Sequence, residues 1–225
     1  SPCIHTEATR VLVADETEKI EKPLVEKDEQ FDLVFANDFT GESDSETLQR
    51  ALDAAQGKCL LIPRYNARTG AMLWRIDQTL YVPSDTTVIL LDAHLRLEDF
   101  TYCNLFSNQK NAENIRILGI GSATLDSGSF NGLKEKNANT LGFGPITDNA
   151  LLHFAGVKGL AVEHLHLIQN RWYCIFCIAC QNARLADLDL CAQPNFPDMG
   201  GIRLHSGCHK ILVENITGLT GEDPV

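Results

Sequence analysis

The 225-residue chain predicts an all-β fold, a parallel β-helix carrying one capping α-helix near its N-terminal side. Three observations lead there. A short polar–apolar–polar block recurs as Asn114-Ile-Arg-Ile117, His164-Leu-His-Leu167, Asp187-Leu-Asp-Leu190 and Asn215-Ile-Thr217, with a weaker copy at Thr87-Val88-Ile89. Its anchors Val88, Ile115, Leu165, Leu188 and Ile216 lie 27, 50, 23 and 28 residues apart, and a steady period in the range of roughly 20–50 residues marks a solenoid. A single amphipathic helical stretch precedes all of these copies. Alternation puts successive side chains on opposite faces, so each block has an inward and an outward row. Stacked coils would stand about 4.8 Å apart, with equivalent positions aligned up the wall. An evenly spaced β-sandwich is the competing architecture.

The elements follow in order. Residues 1–30 form a mixed-charge lead-in with Glu16, Glu18, Lys19, Glu21, Lys22, Glu26, Lys27, Asp28 and Glu29, read as an edge strand or as partly disordered. Residues 31–225 form the β-helix domain, which reads as truncated at its C-terminal end. Ser43-Asp-Ser-Glu46 is a capping box: the Ser43 hydroxyl accepts from the backbone and Glu46 reaches back. It opens a helix in which Leu48, Ala51, Leu52 and Ala55 share one apolar stripe, suited to covering the first coil. The 50-residue gap between anchors predicts either a degenerate coil or a looped-out insert. Asp126 to Asp148, rich in Gly, Asn and Ser, reads as a loop leaving the coil wall.

Composition fits one domain with a sizeable core: 44% of residues are hydrophobic. No apolar run reaches the roughly 18 residues that a membrane span needs. A net charge of −11 argues against a general nucleic-acid binder, which needs a basic face. Cys174-Ile-Phe-Cys177-Ile-Ala-Cys180 has a metal-binding spacing. Its Trp, Tyr, Ile and Phe surroundings read instead as a buried strand, in which alternation turns Cys177 away from Cys174 and Cys180. Cys3, Cys59, Cys103, Cys191 and Cys208 show no disulfide rhythm. Reduced thiols and no visible signal peptide lean toward a cytoplasmic location. No metal or cofactor is expected.

Phe39-Thr-Gly-Glu-Ser-Asp-Ser-Glu-Thr-Leu-Gln-Arg-Ala-Leu-Asp-Ala-Ala55, Cys59-Leu-Leu-Ile-Pro63 and Leu80-Tyr-Val-Pro-Ser-Asp-Thr-Thr-Val-Ile-Leu90 together resemble the entry segment of pectin-lyase-like β-helix proteins. Asp198-Met-Gly-Gly-Ile-Arg-Leu-His205 through Gly221-Glu-Asp223 is similar to the catalytic coils of polygalacturonase-like glycoside hydrolases. The resemblance runs from about residue 36 to the end and implies a right-handed helix. It also implies inverting hydrolysis, with an acid on the leaving oxygen and bases activating water about 6.5–9.5 Å away. Asp223 carries over as general acid and Glu222 as a base. Gly200 stands where the family's preceding Asp would be, and Asp198, two residues earlier, is the substitute base. The family's later His and Arg/Lys step has no counterpart before Val225, and the last coil is expected to be open and prone to self-association.

Among binding candidates, Arg203 and His205 share a strand face and suit a sugar carboxylate. Arg171-Trp172-Tyr173 could offer a stacking platform, although Trp and Tyr open a buried-looking strand and core packing is the leading reading. His164 and His166 point outward with no third metal ligand. The expected function is therefore a glycoside-hydrolase-like protein acting on a uronate-containing, pectin-like polysaccharide or oligosaccharide without a metal. A non-catalytic carbohydrate-binding or assembly module is the alternative. A polysaccharide lyase, with Arg203 as base, comes third.

Overall fold

A computed structural model describes residues 32–129, 150–170, 172–192, 200–221 and 225, together with the backbone of 4–5 and 8–13. In chain order the strands are β1 (Ile4–His5), β2 (Ala8–Val13) and β3 (Leu33–Phe35), followed by α1 (Asp44–Ala54), β4 (Cys59–Pro63) and β5 (Trp74–Ile76). Three coils follow: β6 (Leu80–Val82), β7 (Thr86–Leu91) and β8 (His94–Leu97); β9 (Phe106–Asn108), β10 (Ile115–Ile120) and β11 (Thr124–Asp126); β12 (Leu152–Ala155) and β13 (Lys158–Ile168). The last two coils are β14 (Tyr173–Ile178) with β15 (Gln181–Cys191), and β16 (Gly200–His205) with β17 (His209–Thr220). Every coil-to-coil pairing is parallel, giving one five-stranded wall (β6, β9, β12, β14, β16) and one twelve-stranded sheet that folds into the other two walls. The molecule is a right-handed parallel β-helix with a capping helix.

The inward rows are the core. Leu60, Val88, Ile117, Val162, Leu185 and Val213 are successive register partners through six coils, all fully buried. Trp74, Leu95, Leu125, Leu167 and Leu190 form a second column on another wall. Each residue packs on its equivalents above and below, so a repeat that is marginal alone is stable in the stack.

Corners are made by left-handed residues, also stacked. Asp85, Asn114, Gly159, Asn182 and Lys210 all have positive φ at the entry to the large sheet, and His164, Asp187 and Asn215 have it at the bend within β13, β15 and β17. Asn and Asp tolerate this conformation because a short polar side chain can bond locally. Asn114 Nδ2 donates to Asp85 Oδ1 at 2.8 Å and Asn215 Nδ2 to Asp187 Oδ1 at 2.9 Å, tying corner to corner. This corrects the anchor alignment. Leu165, Leu188 and Ile216 are true register partners. Ile115, however, pairs with Thr86 and Leu160, on the wall before the bend. A coil has two corners that open on the same polar–apolar motif, so periodicity alone confuses the walls. β10 pairs directly with β13, so no coil is missing between the second and third anchors. The long spacing is an insert.

The helix is built as its sequence requires. Ser43 accepts from the Glu46 backbone at 3.2 Å, while Glu46 reaches one residue further back than expected, to the Glu42 N–H at 2.6 Å. Leu48, Ala51, Leu52 and Ala55 are fully buried against β5 and β6, where α1 takes the place of a first strand in the five-stranded wall. Buried Asp44 accepts from Arg68 Nε at 2.8 Å and from the Arg75 backbone N–H at 2.7 Å, pinning the helix to the first coil. At the opposite end, the outer edge of β17 is not open. β2 pairs with it antiparallel from Ile211↔Val13 to Ile216↔Ala8, and β1 continues with Ile4↔Thr220. An edge strand's unpaired N–H and C=O groups need partners, and here the chain's own N-terminal strands supply them.

Candidate functional site

Outward positions of the five-stranded wall form a continuous row. Register pairs Tyr81 with Ser107, Ser107 with His153, His153 with Phe176, and Phe176 with Arg203. Four parallel steps of about 4.8 Å make this row about 19 Å long. Its C-terminal half is aromatic. The His153 and Phe176 rings are stacked at 5.7 Å with planes 15° apart. Tyr173 meets Phe176 edge-on at 5.4 Å, Trp172 meets Tyr173 edge-on at 4.8 Å, and the His205 ring lies 5.8 Å from Phe176. Arg203 and His205 are exposed on β16, as alternation predicts.

A wall of parallel strands positions such a cluster because equivalent residues sit one strand spacing apart, and aromatic pairs favour centroid separations of about 4.5–7 Å. Trp172, Tyr173, Phe176 and His153 are all half-buried, presenting partial ring faces. The Trp172 and Tyr173 rings pack on one another while remaining partly exposed. The Trp172 Nε1–H is buried beneath the ring surface and has no hydrogen-bond partner among the described residues. Half-exposed rings beside a guanidinium can hold a sugar ring by face contact, and the exposed Arg203 and His205 can hold its oxygens by hydrogen bonds.

Gly200 is the hinge of this cluster. The Tyr173 ring lies over it, and a Cβ there would stand 2.2 Å from Tyr173 Cε1 and 2.5 Å from Cδ1. A side chain at position 200 therefore competes with Tyr173 for the same space. Asn170, fully buried, holds the neighbourhood together by donating to the Gly200 carbonyl at 3.2 Å.

The expected acids Asp198, Glu222 and Asp223, and also Arg171, lie outside the described residues. In the sequence, Asp198 stands two residues before β16, and Glu222 two residues after β17. Among the sequence-derived candidates, the wall brings Trp172, Arg203 and His205 together. His153 and Phe176 were not singled out from sequence. The signal was available: they precede Arg203 by 50 and 27 residues, two coil periods and one.

The exposed His164 and His166 belong to a different wall and face carboxylates, His164 Nδ1 at 3.5 Å from Asp187 and His166 Nδ1 at 3.3 Å from Asp189. Beside them Arg184 bridges Glu163 at 2.8 Å and Glu214 at 2.5 Å, across three coils. A hollow of about 670 Å³ lies at the cap end of the wall, between α1 and β6, lined by Glu46, Gln49, Asp53, Gln78, Tyr81 and Gln109 among others. Its groups are largely engaged with one another: Gln49 bonds both Tyr81 backbone groups and Asp53, and Gln109 bonds Asp53. Among the described residues no helix is long and apolar enough to cross a membrane.

No family model matches the sequence, and no curated protein matches it. Solved structures do match the shape. A Parabacteroides merdae protein described as a candidate glycosyl hydrolase aligns over 83% of this chain and 97% of its own, with a TM-score of 0.59 and 13% identity. An iota-carrageenase of glycoside hydrolase family 82 from A. fortis aligns over 88% of this chain with a TM-score of 0.57 and 16% identity. A galactohydrolase of sulfated galactose and anhydrogalactose chains aligns over 84% with a TM-score of 0.55 and 16% identity. The chain shares its fold with these three proteins. This chain spans less than half of the last two proteins, 43% and 46% of their lengths.

Proposed function

We propose that the chain is a glycoside-hydrolase-like β-helix that holds an anionic, uronate-containing polysaccharide or oligosaccharide across the outer face of its five-stranded wall. The observation that carries this reading is the in-register row of His153, Phe176 and Arg203, flanked by Trp172, Tyr173 and His205. Ring faces accept the apolar side of a pyranose, and the planar fork of Arg203 matches a sugar carboxylate. The fold likeness supports carbohydrate as the ligand class; the pectin-like resemblance of the C-terminal segment supports the uronate.

In the catalytic version of this reading Asp223 protonates the leaving oxygen while Glu222 and Asp198 activate water, with no metal. Arg203 neutralises the sugar carboxylate beside the breaking bond. A second version, binding without cleavage, is favoured by Gly200. The position that the family pattern gives to an acid is a glycine whose side-chain space is filled by Tyr173. A glycan array and a reducing-end assay on oligogalacturonates, with and without a chelator, test both versions. Binding with chelator-insensitive cleavage that is lost in Asp223→Asn supports hydrolysis. Binding with no cleavage leaves the binding module, and no glycan bound in the array overturns both. Arg203→Ala is expected to weaken binding of anionic oligosaccharides about tenfold and to leave neutral ones unchanged.

A further inference from the structure

The cysteine-rich segment arranges its thiols differently from what strand alternation predicts. Ala179 has a φ of +52°, turning the chain between β14 and β15. That corner sets the Cys180 thiol beside Cys177, where it donates to the Phe154 and Ile178 carbonyls at 3.5 Å each. The next coil adds a third thiol. Gln181 and His209 are register partners, which places Cys180 and Cys208 at equivalent positions of adjacent coils. The His209 N–H donates to the Cys180 carbonyl at 3.1 Å, Ala179 N–H to the Ser206 carbonyl at 3.0 Å, and Cys208 Sγ to the Cys177 carbonyl at 3.4 Å. A parallel step of about 4.8 Å falls within the Cα separations, roughly 4.4–6.8 Å, that a disulfide spans. Cys180 is fully buried, whereas Cys208 is partly exposed.

We propose that Cys180 and Cys208 are a thiol–disulfide exchange site, closed by small disulfides into a bridge between the last two coils. The exposed Cys208 thiolate attacks the reagent disulfide, forming a mixed disulfide and releasing one reagent thiolate. Cys180 sulfur then attacks Cys208 Sγ, the second reagent thiolate leaves, and it takes the Cys180 proton. Two protein thiols and one reagent disulfide become one protein disulfide and two reagent thiols. The neighbouring Cys177 thiol lowers the pKa of Cys180, and burial raises that of Cys208, so the first step is favoured by alkaline pH.

The bridge closes a loop of about 28 residues and ties β16, with Arg203 and His205, to the coil that carries Phe176. Incubating the whole chain with hydroxyethyl disulfide at about pH 8.5, followed by intact mass and fragment mapping, tests it. The expected product has lost two hydrogens, links Cys180 to Cys208, and melts roughly 5–15 °C higher than the reduced chain. Cys208→Ser abolishes the bridge; Cys177→Ala keeps the linkage but forms it more slowly. A stable reagent adduct on Cys208, a Cys177–Cys180 linkage, or no change in mass overturns the proposal.

Discussion

Gly200→Ala is the sharpest probe of the aromatic wall. The added Cβ would stand 2.2 Å from Tyr173 Cε1, 2.5 Å from Cδ1 and 3.3 Å from Cζ, against the ~3.5–4.0 Å of an ordinary carbon contact. The ring must move by more than an ångström. It cannot do so without loosening its edge contacts to Trp172 and Phe176. Overpacking of this kind costs about 1–3 kcal/mol, and each aromatic pair contributes about 0.5–1.5 kcal/mol beyond its burial. At about 2–4 °C per kcal/mol for a chain of this size, Tm falls by roughly 2–12 °C. Denaturant melts of four proteins isolate the cause: the parent, Gly200→Ala, Tyr173→Ala and the double variant. With the ring removed the methyl has nothing to strike, so Gly200→Ala becomes nearly neutral in the Tyr173→Ala background, with a coupling of about 1–3 kcal/mol. Equal costs in both backgrounds would refute the argument. Gly200→Asp, which adds a carboxylate in the space the Tyr173 ring occupies, is expected to destabilise further rather than to create activity.

Three further outcomes follow from the scaffold. Asp44→Ala leaves the Arg68 guanidinium and the Arg75 N–H without their buried acceptor and is expected to cost about 3–5 kcal/mol in denaturant melts. Leu185→Ala opens a cavity in the middle of a six-coil column and is expected to cost about 2–5 kcal/mol, with the m-value unchanged. Removing residues 1–13 uncovers the outer edge of β17, and light scattering after size exclusion is expected to show concentration-dependent association that the intact chain lacks.

How much was legible follows from what each feature depends on. Ser43, Glu46 and the stripe Leu48, Ala51, Leu52 and Ala55 are separated by three or four residues, so the capping helix is written in a single local window. Inward rows such as Leu165, Leu188 and Ile216 are legible because a buried column demands apolar residues at every coil. Wall assignment was not legible, since Asn114 and His164 open identical-looking blocks at two different corners. The aromatic cluster escaped for a related reason: His153 and Phe176 are each unremarkable in their own strands and gain meaning only when register puts them side by side.

The sequence by itself determined the solenoid, its cap and the residues able to face solvent, because these need only alternation and a repeating apolar demand. Tertiary structure alone decided the rest. It made the long spacing an insert, set the Tyr173 ring over Gly200, stacked Cys180 on Cys208 and paired β2 with β17. The physical reason is the same throughout. Register between coils is fixed by hydrogen bonds among residues some 20 to 200 positions apart, and a one-residue shift would turn each of these side chains to the opposite face.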